Sequence, residues 1–291
     1  MTGAAFAASE SRPTLDQAVR RMNEISTLPH VALRVMQVAN DPKSGARDLK
    51  EVMENDATLS ARVLRSVNSS AYATRTKITN LQQAIAYLGI AQIRNLAMTA
   101  SVSELFAKNE MIGTYRRSDL WRHLVAVGIC ARMIAMRAGI RNFEDVFLAG
   151  LLHDIGIILE DQNLHEAFVT VMESLRQGTT LVETEHTQFI FDHTTLAEKV
   201  TTKWSFPDLV TATIRHHHNS AAYKGEQIEI LWCVEVANLI TSLKGMPSVG
   251  MNLLEFPRAA ITGLSLKKDD LLVLANDLDN EIARNQNLLQ M

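Results

Sequence analysis

Apolar residues recur at three- and four-residue spacing along most of the chain, the period of a helix with one buried face. In the first third the pattern runs through Val31–Val38, Leu49–Met53, Leu59–Val67, Ala84–Leu88 and Ile93–Leu105. Pro29, Asp41-Pro42, Asp56, Ser69-Ser70, Asn80 and Gly89 punctuate it with turn and cap signals. Segments this short predict a compact bundle of small helices. A polar stretch, Lys108–Arg117, precedes longer patterns: Leu120–Ala138, Phe143–Leu159, His165–Arg176, Leu181–Phe189, Thr194–Trp204 and Pro207–His217. Ile228–Leu243, Leu253–Ile261 and Leu271–Ile282 close the series. No segment alternates with period two for long enough to demand a strand. The pattern predicts an all-α fold of two packed helical lobes, over 14–112 and 113–291, with the boundary near Gly113. Thr14 and Gln17 have the spacing of a capping box for the first helix, and residues 1–13, small and polar, are expected as a disordered leader.

Composition supports helices: Gly (13) and Pro (6) are scarce in 291 residues and aromatics make up 5%, too few for an all-β protein. Hydrophobic residues at 47% and charged residues at 21% describe a folded globular chain. A net charge of -3 excludes a strongly electrostatic nucleic-acid binder, which needs a concentrated excess of Lys and Arg. That average hides a window, Ala57–Ser103, with no Asp or Glu but with Arg62, Arg65, Arg75, Lys77 and Arg94. It could receive an anionic ligand or an acidic partner surface, or form a solvated face and a contact between the lobes. Cys130 and Cys233 lie far apart in apolar helical patterns, so buried thiols are expected rather than a disulfide or a zinc ribbon. With neither a signal peptide nor an apolar run long enough to span a bilayer, a bacterial-type cytoplasmic location without membrane attachment is expected.

Candidate chemistry gathers in the second lobe as His123, His153-Asp154, His193 and the run His216-His217-His218. His123 shares a helix face with Leu120, Leu124 and Val127, so its imidazole points toward the core. Taken singly, such a histidine is explained by a satisfied core position, and the run at 216–218 by a favourable helix C-terminus. Asp154 is harder to explain away. It ends the apolar run FLAGLLHDIG, where burying a carboxylate costs several kcal/mol unless a cation, a proton or hydrogen bonds compensate. A divalent metal would do so, and one carboxylate can bridge two ions with its two oxygens.

The order H, L-L-H-D-I-G, H, H-H in successive helices resembles the HD phosphohydrolase superfamily, and most closely its HDOD branch, the HD-related output domain of bacterial signalling proteins. LPHVALRVMQVANDP and the following stretches through IRNLAMTASVSELF resemble the N-terminal half of that family. LWRHLVAVGICARMIA, FLAGLLHDIGIIL and HTTLAEKVTTKWSFPDLVTATIRHHH resemble its HD-like core, so the likeness covers roughly Leu28 to Asn219. The resemblance implies a second lobe that holds one or two divalent ions (Fe, Mn, Zn or Ni) through His123, His153, Asp154, His193, His216 and His217, with Asp119 and Asn238 as further positions. By it, one ion would use His123, His153, Asp154 and the last carboxylate, and the other Asp154, His193, His216 and His217. The last carboxylate falls at Asn238, a poorer ligand. The lysine that follows the motif in HD-GYP phosphodiesterases is Ile157 here, and no G-Y-P follows His218.

Those departures lead to the expectation of a signalling output module, free-standing, that acts on an unidentified protein partner, keeps a metal site and has little or no hydrolase activity. The alternative is a metal-dependent phosphohydrolase or cyclic-dinucleotide phosphodiesterase with Asp154 at its catalytic centre. A helical protein with coincidental histidines is the third reading.

Overall fold

The computed structural model describes residues 14–24, 28–72, 74–108, 111–176, 178–249 and 256–290, and the leader expected over 1–13 lies outside them. The chain folds as α1 (Leu15–Glu24), α2 (His30–Asn40), α3 (Ala46–Glu54), α4 (Ala57–Val67), α5 (Leu81–Leu88) and α6 (Ile90–Ser103). A two-stranded hairpin follows, β1 (Met111–Ile112) and β2 (Tyr115–Arg116). Then come α7 (Arg117–Arg137), α8 (Phe143–Leu152), α9 (Ile155–Asn163), α10 (His165–Ser174), α11 (Leu181–Gln188), α12 (His193–Lys203), α13 (Asp208–His216), α14 (Ile228–Leu243), α15 (Arg258–Gly263), α16 (Lys268–Arg284) and α17 (Gln286–Leu289).

The caps work as the sequence predicts. Asp56 accepts from Leu59 N–H and Asn80 from Gln83 N–H, each at 2.9 Å. Thr14 and Gln17 close a capping box, with Thr14 N–H on Gln17 Oε1 at 2.9 Å. Helices α2 to α6 pack on one another around Val35, Met36, Leu49, Met53, Val63 and Ile93. Asn68 caps the end of α4 and donates to the carbonyls of Leu64 and Ile78, both at 2.8 Å, which ties down the loop before α5.

The second group is built on α7, which is buried around nearly its whole circumference and packs on α8, α14 and α16. Two glycines let α7 and α8 cross closely. A Cβ on Gly150 would stand 3.0 Å from Gly128 Cα, and one on Gly128 would stand 3.1 Å from Phe147 O. The buried Arg117 anchors the start of α7 by a bidentate pair with the buried Asp161, at 2.5 and 2.9 Å, and Tyr115 O–H donates to the same carboxylate at 2.9 Å. Between the two groups, Arg94 of α6 donates to Asp145 at 2.8 Å, and Asn95 Nδ2 donates to the backbone carbonyl and the carboxylate of Glu144, both at 2.8 Å.

Several expectations need correction. The pattern Phe143–Leu159 is two helices, broken at His153-Asp154. The stretch around Gly113 forms an antiparallel hairpin, with Gly113 at φ 58°, where a glycine turns the chain without a Cβ clash. The first helix, α1, packs on α9 and α12 of the second group. Of the basic window, Arg62 pairs with Glu104 at 2.8 Å and Arg94 is used internally, leaving Arg65, Arg75 and Lys77 exposed. As expected, Cys130 and Cys233 are buried free thiols. No described helix is long and apolar enough to cross a membrane.

Candidate metal centre

One helix interior and three helix ends deliver the side chains. His123 points inward from α7, two turns from its start. His153 ends α8 and Asp154 begins α9, so the break between them turns two consecutive side chains toward one point. His193 is the first residue of α12, whose cap Asp192 accepts from Thr195 N–H at 2.8 Å. Gly156 of α9 lies against that residue: a Cβ there would stand 2.7 Å from His193 C and run into its carbonyl oxygen. His217 caps the C-terminus of α13.

Asp154 sits at the middle, its two oxygens facing opposite groups. Oδ2 lies 3.3 Å from His153 Nε2 and 3.7 Å from His123 Nε2, which are 3.3 Å from each other. Oδ1 lies 3.0 Å from His217 Nε2 and 3.3 Å from His193 Nε2, and His193 Nε2 is 3.2 Å from His218 Nε2. Two ligand sets thus share one carboxylate: His123, His153 and Asp154 on one side, Asp154, His193, His217 and His218 on the other.

The far nitrogens show what the near ones must do. Nδ1 of His123 is 2.7 Å from Met246 O, that of His153 is 2.8 Å from Gly150 O, and that of His217 is 2.9 Å from Ile214 O. A carbonyl only accepts, so each Nδ1 carries its proton, and the neutral ring turns an Nε2 lone pair inward. Around Oδ2, the Nε2 lone pairs of His123 and His153 and the carboxylate oxygen, packed at 3.3–3.7 Å with no donor among them, repel unless a cation fills the space. This nitrogen and oxygen donor set fits a divalent transition metal.

The family comparison agrees with this geometry. The HDOD domain profile matches residues 25–220, two thirds of the chain. The chain belongs to the HDOD family. Among its relatives, an uncharacterised protein of Treponema pallidum is 21% identical over 221 residues, covering 75% of this chain and 42% of that protein, so the HDOD chain spans less than half of that relative's length. A solved structure from Marinobacter aquaeolei VT8, named as a candidate signal transduction protein, superposes with a TM-score of 0.74 at 24% identity, covering 95% of this chain and 64% of the other. A candidate phosphohydrolase from Shewanella amazonensis SB2B superposes with a TM-score of 0.71 at 21% identity, covering 94% and 97%. Both share the fold.

In this HDOD chain, electrostatics follow burial and pairing. Burial pushes His123 down to about 4, with His153 lowering it further against the pull of Asp154. Burial alone would raise Asp154, but His153, His193 and His217 hold it well below the usual carboxylate range. Burial also works against charge on His193, yet Glu185 and Asp154 outweigh it and keep its imidazolium well above the ordinary value.

The structure brings together five of the residues read from the sequence, His123, His153, Asp154, His193 and His217, and leaves His216 and Asp119 outside the two ligand sets. His216 is the last residue of α13 and lies against Tyr223, with ring centroids 5.7 Å apart. Past the helix end, the buried His217 and, through its Nε2, the exposed His218 reach the centre, so His218 takes the expected place. Asp119 lies in the exposed first turn of α7, ahead of the buried stretch that holds His123. Asn238 is part-buried on α14, and its Oδ1 accepts from Ser242 Oγ at 3.3 Å. The sequence reading missed Glu185, fully buried, whose two oxygens each lie 2.9 Å from His193 Nδ1. Its signal was its position: Leu181, Thr184 and Glu185 share one helix face, which puts a carboxylate on the buried side of α11.

Proposed function

We propose that this HDOD protein is a signal-transduction module that acts through protein contacts, with a metal centre that holds the second helical group together and little or no hydrolase activity. The observation that carries the reading is enclosure. His123, His153 and His193 are 0% exposed, Asp154 1% and His217 3%, so the centre offers a substrate no approach beyond the solvent-facing His218. Catalytic sites keep a ligand position open, whereas closed sites serve structure. Ile157, fully buried beside the motif, supplies no cation for a phosphate. A bound divalent ion would neutralise the inward lone pairs and link α7, α8, α9, α12 and α13 at one point.

The second reading, a metal-dependent phosphohydrolase, draws on the carboxylate shared between two ligand sets, the arrangement of two-metal hydrolases. In that case Asp154 would help to hold both ions, and the ions would supply the Lewis acidity that polarises a phosphodiester. Elemental analysis of protein purified without added metal, followed by turnover assays on phosphodiester and phosphomonoester substrates, separates the readings. Bound metal without turnover supports the module. Turnover abolished by Asp154→Ala and retained by His216→Ala would replace it with the enzyme.

A further inference from the structure

The second helical group buries an acid that the two ligand sets do not use. Glu160 is fully buried on α9, and neither of its oxygens meets a donor among the described residues. It stands one helical turn beyond Gly156, on the face of α9 that packs against α12 and touches His193. There it lies in hydrogen-bonding contact with Glu185, the fully buried carboxylate of α11. A carboxylate without donors is costly in such a place, so its presence calls for a role.

Counting protons supplies one. Both oxygens of Glu185 lie 2.9 Å from His193 Nδ1, and Oε2 also accepts from His193 N–H at 3.2 Å. These donors favour its ionised form. Glu160 has no such donors, and two ionised carboxylates in contact away from water would repel each other, so the pair holds one proton. That proton belongs on Glu160. Asp192, the other acid that acts on Glu160, already accepts from Thr194 and Thr195 at 2.6–2.9 Å. We infer that Glu160 is a positioning residue of the metal centre: its carboxyl O–H donates to Glu185, which fixes Glu185 as the ionised acceptor of His193 Nδ1–H and turns the Nε2 lone pair of His193 toward the ion. Burial and the charge on Glu185 act in this direction, raising Glu160 well above the ordinary carboxyl range against the opposing pull of His193. The line Glu160, Glu185, His193 thus joins α9, α11 and α12 behind a single ligand. The inference rests on the reading of the centre as a metal site and adds a residue that orients its His193 side.

The test measures zinc affinity of the chelator-stripped full chain by competition with a chromophoric chelator, together with thermal unfolding and infrared spectra. Glu160→Gln, whose amide N–H replaces the O–H, should keep the affinity within about twofold, while Glu160→Met, similar in bulk but without a donor, should weaken it about tenfold or more. Glu160→Met should not lower Tm, because it exchanges unpaired polar atoms for apolar ones. At neutral pH the parent should show the C=O stretch of a protonated carboxyl, and Glu160→Gln should lack it. Absence of that band, its persistence in Glu160→Gln, or parental zinc affinity in Glu160→Met would overturn the assignment. A loss of affinity in Glu160→Met matched by a fall in Tm would mark a packing role and overturn it too. Should Glu160→Met fail to fold, the infrared band and the affinity of Glu160→Gln decide. A parent chain that binds no zinc would sink the metal reading, while the band still decides the bond between the two acids, so the two failures are distinguishable.

Discussion

Gly156→Ala is the sharpest test of how the metal centre is assembled, because it adds one methyl at the contact between α9 and α12. The new Cβ would meet His193 C at 2.7 Å and His193 Cα at 3.0 Å, against an ordinary contact beginning at 3.4 Å. The obstructing atoms are backbone, so no side chain can swing aside. The start of α12 must retreat by more than about 0.7 Å, the shortfall at His193 C, because the carbonyl oxygen stands nearer still, and His193 moves with it. Overpacking of this kind costs about 1–3 kcal/mol, which for a domain of this size lowers Tm by roughly 2–10 °C. His193 Nε2 now stands 3.3 Å from Asp154 Oδ1, and a displaced ring should weaken metal binding by about 10–100-fold, as loss of a ligand's orientation does. Gly45→Ala is the control, since its Cβ would meet nothing nearer than 3.9 Å. Thermal unfolding and metal content per chain are the measurements. A Gly156→Ala protein with the Tm and metal content of Gly45→Ala would refute both the close contact and the place of His193 in the centre.

Three further outcomes are expected. Glu185→Gln keeps the shape beside His193 but removes the charge that holds its Nδ1 proton, so metal affinity should fall about 10–100-fold in competition with a chelator, and unchanged affinity would remove His193 from the ligand set. His218→Ala should lower metal content while His216→Ala leaves it intact, and the opposite result would restore the sequence-derived ligand. Metal-free protein should lose stability to urea as pH falls from about 6.5 toward 4, because the unfolded chain protonates a histidine that folded His123, at about 4, refuses. The depressed Asp154 adds to the loss at the acid end, whereas the raised His193 contributes fully throughout that window and is lost only as pH rises through its own value. A flat or rising urea midpoint on acidification would contradict the assigned burial.

Helices were legible because their signal is periodic and their caps are local: Asp56, Asn80 and Thr14 bond where their spacing says they should. The site was legible in outline through its family resemblance, since the order of histidines survives without knowledge of packing. Three details depend on things the pattern does not carry. The break at His153-Asp154 is hard to read in FLAGLLHDIGIIL because both sides are apolar, no proline marks it, and Asp154, though at the cap position, makes no cap hydrogen bond and turns into the centre instead. The end of α13 is equally unmarked in R-H-H-H-N, and a shift of one residue past a helix end exchanges an outward ring for an inward one. Asp119 shares a helical face with His123, but a shared face tells nothing of how far along the helix the packed neighbours extend. The hairpin at 111–116 was missed because two residues per strand are too few to show alternation.

The connection between the two helical groups bears on how such a module could respond to a partner. Arg94 and Asn95 of the first group grip Asp145 and Glu144, both in the first turn of α8, and α8 ends at His153. Arg94 is 3% exposed, so its charge depends on that grip, and a helix of ten residues transmits a shift at one end to the other nearly as a rigid rod. On the opposite side, α1 packs on α9 and α12, which begin at Asp154 and His193. Helices α8, α9 and α12 are therefore each held by a segment from the first 112 residues. Under this arrangement, docking and metal loading should bias one another by the same factor, because a coupling free energy is reciprocal.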